Sequence, residues 1–163
     1  DQVALRAAAD WESFWRAEWM VSKSSRQKEA RFLTFQLRSV APQMTGHSIG
    51  ARGLTGRAYE GHIFWDAEIF ILPAILELEP ARVRTALAYR KRTLVGAQAR
   101  ARRAGLQGAS FAWESTASGE DATPRSIRIE TSGQEIPVFT GLQQIHITAD
   151  VAYAVRRSPY AWV

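Results

Sequence analysis

Glycines restrict the secondary structure that the middle of this chain can adopt. Five of them lie close together, at Gly46, Gly50, Gly53, Gly56 and Gly61. Each glycine costs roughly 1 kcal/mol in a helix interior relative to alanine, so this segment is not predicted to be helical. It is predicted to be a long irregular loop, and such loops in compact domains are usually functional or disordered. The loop runs directly into the sequence HIFWDAE (residues 62–68), which favours a functional loop.

Trp65 and Asp66 are adjacent at the predicted start of a helix. An indole face can stack on a sugar ring, and a carboxylate accepts hydrogen bonds from sugar hydroxyls. The alternative is a buried tryptophan beside an aspartate that interacts favourably with the positive end of the helix dipole. These two residues alone leave both interpretations open.

Length and composition indicate one globular domain. The chain has 163 residues, of which 46% are hydrophobic and 23% charged, and this is enough for a hydrophobic core. No stretch is long and apolar enough to predict a membrane span. Cysteine is absent, which excludes disulfides and thiolate metal sites and fits a cytoplasmic location. The first residue is Asp1 rather than methionine, so we expect a single domain over residues 1–163 that is a piece of a longer chain.

The basic residues are concentrated between Arg82 and Arg103 and contribute to a net charge of +5. A nucleic-acid surface is one interpretation of this pattern, and the solvated side of a long helix is the other. Aromatic residues do not alternate with the arginines as a base-stacking surface would require. We therefore do not expect nucleic acid as a partner.

Hydrophobic periodicity predicts an all-α fold with long irregular loops. The predicted helices cover residues 3–20, 24–40, a segment from about residue 65, 80–104 and 142–157. In the first helix Ala7, Trp11, Trp15 and Trp19 form one stripe, which we expect in the core. Weak alternation around Ser132-Gly133, within residues 126–139, predicts one small β-hairpin.

The apolar faces of two other predicted helices follow from the same periodicity. In the second helix the inward face is Phe32, Leu33, Gln36, Leu37 and Val40, and in the last helix an apolar face beside that of His146 and Asp150 is formed by Ile145, Ala149, Ala152 and Val155. Ser24 and Gln27 have the spacing of a capping box. Pro73 should kink the third helix or mark its first turn.

The polar residues that could carry chemistry lie mainly in and beside the loops. They are His62, Asp66, Glu68, Glu114, Glu120, Asp121, His146 and Asp150. Two His–Asp pairs have i,i+4 spacing, but no third ligand stands out, so no metal site is expected. Neither a GxSxG nucleophile elbow nor a GxxxxGK[ST] phosphate loop is present. Carboxylates flanked by tryptophans remain, and these residue types are typical of glycoside chemistry.

Three segments in order resemble the motifs of glycoside hydrolase family 65, which contains maltose, trehalose, kojibiose and nigerose phosphorylases and some glucosidases. The first is GLTGRAYEGHIFWDAEIFILP (residues 53–73). The second is ALAYRKRTLVGAQARARRAGLQGASFAWESTASGED (residues 86–121), and the third is GLQQIHITADVAYAV (residues 141–155). Together they cover almost the whole chain.

The resemblance implies part of an (α/α)6 barrel, its N-terminal half, in an inverting α-glucoside phosphorylase or hydrolase that acts on a glucose-containing disaccharide. It implies that this half binds the glucose unit. The implied substrate-binding residues are Trp65, Asp66, His62, Trp113, Glu114, Glu120 and His146. No cofactor is expected, and either inorganic phosphate as co-substrate or water would attack the sugar. The expected partners are the remaining half of the barrel and a second copy in a homodimer.

The sequence departs from the family pattern in two respects. The family's general acid lies in a GP(D/N)EY-like segment expected downstream of Val163, so no catalytic residue is assigned here, and the phosphate-binding residues also lie later. Ala58 occupies a position where glycine is common. An alternative is therefore a non-catalytic or degenerate carbohydrate-binding chain that lacks the general acid.

Overall fold

Among residues 2–44, 46–54, 56 and 58–158, which the computed structural model describes, the backbone forms six α-helices and two pairs of short strands. The helices are α1 (Gln2–Phe14), α2 (Gln27–Val40), α3 (Leu72–Leu78), α4 (Pro80–Arg103), α5 (Thr140–Gln143) and α6 (Ile147–Arg157). The strands are β1 (Ile63–Phe64), β2 (Glu114–Ser115), β3 (Ser126–Arg128) and β4 (Glu135–Pro137). The chain is therefore rich in helix, as predicted. None of the described helices is long and apolar enough to cross a membrane.

Helix ends follow local sequence signals. α2 stops at Val40 because Ala41 precedes Pro42 and is forced into extended geometry, with ψ of 126°. α4 ends at Arg103, and Gly105, two residues further on, has a φ of +72°. The amide of Gly105 donates to the Arg102 carbonyl at 3.0 Å, and the amide of Leu106 donates to the Ala101 carbonyl at 2.9 Å. These are the two hydrogen bonds of a Schellman motif, as expected for a glycine just beyond a helix.

The third predicted helix begins with a π-helical turn over Ala67–Ile71 and continues as α3. Pro73 lies in the first turn of α3, which confirms one of the two alternatives predicted for it, a first turn rather than a kink. Proline fits a first turn because its missing N–H would have no partner there. Turns of the π type are frequent at functional sites, and this one directly follows Trp65 and Asp66.

The hairpin β3–β4 confirms the predicted turn around Gly133. Ile127 lies opposite Ile136, and Gly133 has a φ of +68°. The other strand pair was not predicted. β1 and β2 are antiparallel, with Ile63 opposite Ser115 and Phe64 opposite Glu114. This ladder joins the glycine-rich loop to the segment after α4.

Several predicted core faces are wrong. The first helix ends at Phe14 and buries no residue, Trp11 is 51% exposed, and Trp15 and Trp19 are half-buried. In α2 the predicted face is exposed at Phe32, Leu33 and Gln36, whereas Leu37 is half-buried and Val40 packs against the core as predicted. The residues of α2 that are buried are polar or charged, Thr34 and Arg38.

Arg38 explains the orientation of α2. Its guanidinium forms an ion pair with Glu79, and it donates to the Ala17 carbonyl at 3.1 Å. Arg82 also pairs with Glu79 and donates to the Arg38 carbonyl at 3.0 Å. These contacts turn the charged face of α2 inward. The predicted capping box is also wrong, because the side chain of Gln27 accepts from the Val21 amide at 3.0 Å.

The last predicted helix is split. A short helix, α5, ends at Gln143, and α6 begins only after His146. The buried face of α6 is Ile147, Val151 and Ala154, whereas Ile145 is 88% exposed and Ala149 and Ala152 are also exposed. The periodicity was placed on the wrong face because the break at Gln144 changes which residues point inward.

The core consists of two buried clusters. One joins the π turn, α3 and α4, and it contains Leu72, Ile75, Val83 and Leu87. The other contains Ala97, Phe111, Ile147 and Val151, so it joins the second half of α4 to α6. Trp65 and Trp113 pack against this second cluster, which places both tryptophans on a buried support.

Candidate functional site

The β1–β2 ladder brings His62 and Glu114 together. His62 Nδ1 lies 2.7 Å from Glu114 Oε1, although the two residues are 52 positions apart in sequence. The Glu114 side chain is buried, and that of His62 is 22% exposed. The carboxylate of Glu114 can accept hydrogen bonds from hydroxyl groups, and the partly exposed imidazole of His62 can donate or accept them. The pair can therefore bind a polar ligand.

The loop before β1 is held in an unusual conformation. Tyr59 and Glu60 have φ values of +64° and +50°, a region that residues other than glycine rarely adopt. The Tyr59 carbonyl accepts from the His62 amide at 2.7 Å, and the Tyr59 ring lies 5.0 Å from the Phe64 ring. Such strained residues are often found where ligands bind.

Two tryptophans and a histidine form a compact aromatic group, here called the tryptophan cluster: Trp65, Trp113 and His146. The ring centroids of Trp65 and Trp113 are 5.9 Å apart, and the His146 ring lies 4.7 Å from Trp65 and 6.1 Å from Trp113. The histidine is close to perpendicular to both indoles. All three residues are half-buried, so part of each ring remains accessible.

His146 is oriented by Asp150. The two are four residues apart, and His146 Nδ1 contacts Asp150 Oδ2, as the predicted shared face allows. Because the Asp150 carboxylate occupies Nδ1, the ring presents Nε2 for other interactions. His146 is the N-terminal cap residue of α6, and the helix thus places the imidazole beside Trp65.

Asp66 begins the π turn, yet its carboxylate makes no capping hydrogen bond. The helix-cap interpretation of the Trp65-Asp66 pair therefore lacks the hydrogen bond that would support it. Trp65 Nε1 is buried and has no hydrogen-bond partner within the described residues. A buried indole N–H normally has a partner, so this donor is free for a group from outside those residues.

Glu120 is placed elsewhere. It is exposed and lines a separate cavity of about 500 Å³ together with Arg100, Arg103 and Asp121. Asp121 forms an ion pair with Arg100 at 3.0 Å. Six of the seven predicted substrate-binding residues therefore lie at the β1–β2 ladder, at the start of the π turn or at the start of α6. The seventh, Glu120, lies in this cavity.

A buried ionic network lies under the ladder, and most of it was missed from the sequence. Arg90 donates to the Glu68 carboxylate at 2.7 Å and 3.0 Å, and both side chains are almost fully buried. The same guanidinium lies 3.3 Å from the Phe64 carbonyl and 3.4 Å from the Ser115 hydroxyl. Ser115 in turn donates to the Ile63 carbonyl at 2.9 Å.

Burial alone would lower the pKa of Arg90, but the Glu68 carboxylate outweighs it and the pKa is raised. Burial also raises the pKa of Tyr89, whose hydroxyl donates to the Thr116 carbonyl at 2.7 Å. Glu68 was a candidate polar residue from the sequence. The sequence also offered a signal for its partner, Arg90. Tyr89 and Arg90 lie on the inward face of α4, and a buried charge without a partner is costly.

The described residues contain no group of three or more His, Asp or Glu side chains that could hold a metal ion. The arrangement is instead an aromatic wall beside carboxylate and imidazole groups. Aromatic walls with a few directed polar groups are the usual features of carbohydrate and other small-molecule sites.

Comparison with known proteins identifies the family. The sequence profile of the glycosyl hydrolase family 65 central catalytic domain matches residues 31–161. The chain belongs to this family.

Its relatives include disaccharide phosphorylases and a hydrolase. The chain is 38% identical over 161 residues to kojibiose phosphorylase from Escherichia coli strain K12, covering 95% of this chain and 21% of the relative. It is 33% identical over 150 residues to kojibiose hydrolase from Flavobacterium johnsoniae, covering 91% of this chain and 20% of the relative.

A solved structure from the human microbiome that carries the name of a kojibiose phosphorylase matches with a TM-score of 0.70 at 26% identity. The match covers 92% of this chain and 19% of that one. The chain thus spans about one fifth of the length of the relatives it matches.

Proposed function

We propose that this chain supplies the glucose-binding part of an inverting α-glucoside phosphorylase or hydrolase that acts on a glucose-containing disaccharide. The observation that carries the proposal is the tryptophan cluster beside the His62–Glu114 pair. Family membership supports the reaction class, since the similar proteins are named as phosphorylases and as a hydrolase.

The roles follow from the chemistry of each group. The faces of Trp65 and Trp113 would stack on the apolar faces of a glucosyl ring, and Asp66 and Glu114 would accept hydrogen bonds from its hydroxyls. His62 and His146 can donate or accept. Their partners, Glu114 and Asp150, fix the orientation of the two imidazoles. Glu120 would lie toward the leaving sugar, because its cavity is separate from the tryptophan cluster.

We infer that the helices form part of an (α/α)6 barrel that other segments complete. In support, many large apolar side chains are exposed, among them Phe70, Leu142 and Ile145. Isolated exposed apolar residues are ordinary, but this many on one small chain favour a covered surface. The remaining half of the barrel would also supply the general acid. That acid would protonate the glycosidic oxygen while phosphate or water attacks the opposite face of the sugar ring with inversion.

A coupled assay on the intact gene product tests this function. Trehalose, maltose, kojibiose and nigerose are supplied with and without phosphate, and glucose 1-phosphate and glucose are followed separately. We expect turnover of at least one disaccharide. Asp66→Asn should abolish this turnover with an unchanged melting temperature, and Asp10→Asn, in the exposed helix α1, should leave it intact. Near-normal kinetics of Asp66→Asn would contradict the assigned role.

The alternative is a carbohydrate-binding chain without catalysis. Such a chain would keep the sugar-stacking tryptophans of the tryptophan cluster and would lack the general acid. Measurable sugar affinity without turnover of any of the four disaccharides would select this alternative.

A further inference from the structure

A two-residue ladder is too short to fix its own register. β1 and β2 contribute two residue pairs, Ile63 with Ser115 and Phe64 with Glu114. Isolated strand pairs are marginal even when longer. A slip of one residue would reverse which side chains face the tryptophan cluster. One further bridge flanks each strand, Gly50 with Ile63 and Asp121 with Ser115, and contacts from outside the strands are still needed to fix the positions of Trp65 and Trp113, which adjoin the ladder.

One guanidinium contacts both strands of this ladder. Arg90 reaches the carbonyl of Phe64, which is the peptide group that leads into Trp65. It also reaches the hydroxyl of Ser115, two residues after Trp113. Its Nε and Nη2 groups donate to the carboxylate of Glu68 in the π turn. The amide of Glu68 itself donates to the Trp65 carbonyl at 3.0 Å, so Trp65 is held from both sides.

We propose that Arg90, clamped by Glu68, is a positioning residue of the saccharide site that sets the separation and tilt of Trp65 and Trp113. This inference rests on the proposed function for the identity of the ligand. Arg90 is 1% exposed and does not touch the ligand space directly. It acts through the Phe64 carbonyl and the Ser115 hydroxyl.

The shape of the arginine fork is essential to this role. Its Nε and two Nη groups make contacts in three directions at once, to a carboxylate, a carbonyl and a hydroxyl. A lysine ammonium at the same position is a compact point charge on a flexible stem and cannot reproduce a planar fork. Arg90→Lys therefore keeps the charge that balances Glu68 and removes the guanidinium contacts to Phe64 and Ser115, while the hydrogen bond from the Ser115 hydroxyl to the Ile63 carbonyl stays in place.

The structure offers a matched control in Arg38. It is also almost fully buried, at 4% exposure, and it also pairs with a glutamate, Glu79. Its other contacts are with the Ala17 carbonyl and with the face of the Phe14 ring, and both lie away from the ladder. Arg38→Lys should lower the melting temperature in the same way as Arg90→Lys without changing the two tryptophans.

The test is fluorine NMR of the intact gene product labelled with 5-fluorotryptophan, combined with calorimetric titration of glucose and kojibiose. Resonances are assigned by single Trp→Phe substitutions, and all variants are measured well below their melting temperatures. We expect Arg90→Lys to shift the Trp65 and Trp113 resonances and to weaken sugar binding about tenfold or more, a loss of about 1.4 kcal/mol. Arg38→Lys should leave both resonances in place and change affinity by less than about twofold.

Unshifted Trp65 and Trp113 resonances in a folded Arg90→Lys protein would overturn the inference. An equal loss of affinity in Arg38→Lys would also overturn it, because the effect would then be one of general stability. If Arg90→Lys does not fold, Ser115→Ala removes one link of the same chain and should give a smaller shift of the same two resonances. If the unmodified protein binds neither sugar, the proposed function fails, and the resonance shifts still decide whether Arg90 positions the two tryptophans.

Discussion

The two tryptophan-rich regions of this chain have similar distances between ring centroids and different surroundings. In the N-terminal region the Trp11 and Phe35 rings are 6.1 Å apart, and in the tryptophan cluster the Trp65 and Trp113 rings are 5.9 Å apart. Trp11 belongs to α1, which has no buried residue, and Phe35 belongs to α2, whose buried residues are Thr34 and Arg38. The tryptophan cluster lies on a buried hydrophobic cluster and above a buried ion pair.

The two regions differ in how many distant segments hold their aromatic residues. Trp11 belongs to a regular stripe, and its contacts are with near neighbours and with α2. Trp65 and Trp113 lie in irregular segments joined by β1–β2, by Arg90 and by α6. A stripe gives a surface that another element can cover, whereas convergence from three segments fixes the positions of the rings relative to one another.

The largest expected difference between the regions is in stability. Glu68→Gln removes the charge that balances the buried Arg90, and breaking a buried pair costs about 3–5 kcal/mol. Glu18→Gln removes the same charge from the N-terminal pair with Arg31, whose side chain is 52% exposed, and solvent screening should make that loss several times smaller. Urea unfolding of both variants measures the two losses. Equal losses would show that the two regions do not differ in the way described.

Sugar affinity should separate the two regions next. Trp65→Ala removes a stacking surface and should weaken binding of glucose and kojibiose about tenfold or more, as expected for a loss of about 1.4 kcal/mol. Trp11→Ala should leave binding unchanged, because its ring lies in the N-terminal aromatic group. Isothermal titration calorimetry measures both. Loss of affinity in Trp11→Ala alone would place the sugar in the N-terminal region.

Exposed apolar faces give a third contrast. Phe32 and Leu33 on α2 are exposed, as are Leu142 and Ile145 beside α6. The 163-residue chain on its own should therefore associate or bind a hydrophobic dye, and Phe32→Ser with Leu33→Ser should reduce the dye signal. Size-exclusion chromatography with dye fluorescence checks this. A sharp monomer peak without dye binding would show that these faces do not need a cover.

The smallest expected effect concerns pH. Burial raises the pKa of Tyr89 above its ordinary value of 10.0. The protonated phenol is therefore favoured in the folded state, and its contribution is complete below the unfolded pKa and lost as pH rises through the folded pKa. Melting temperature should therefore fall as pH rises above about 10, and less steeply in Tyr89→Phe. Parallel curves for the two proteins would rule out Tyr89 as a cause.

The sequence predicted the parts of the fold that have local signals. α2 and α4 begin and end near their predicted limits because Pro42, Pro80 and Gly105 act on their own neighbours. The turn at Gly133 was found for the same reason. The resemblance to family 65 also led to the prediction of His62, Trp65, Glu114 and His146 as site residues, and the structure places His62 against Glu114 and Trp65 against His146.

What could not be predicted depends on contacts between distant residues. Arg38 orients α2 through its pair with Glu79, 41 residues away. Phe32 and Leu33, which periodicity places in the core, are therefore exposed. The β1–β2 pair contains only two residues in each strand, too few for an alternating pattern. Glu120 was grouped with Glu114 because of its motif, but the Arg100–Asp121 pair holds its loop over a different cavity.

The most direct test of the central claim is a crystal structure of the intact gene product soaked with kojibiose. The account predicts a glucosyl ring in van der Waals contact with Trp65 and Trp113, with a ring hydroxyl hydrogen-bonded to Asp66 or Glu114. A sugar bound only at the N-terminal aromatic residues, or only in the cavity lined by Arg100 and Glu120, would contradict it.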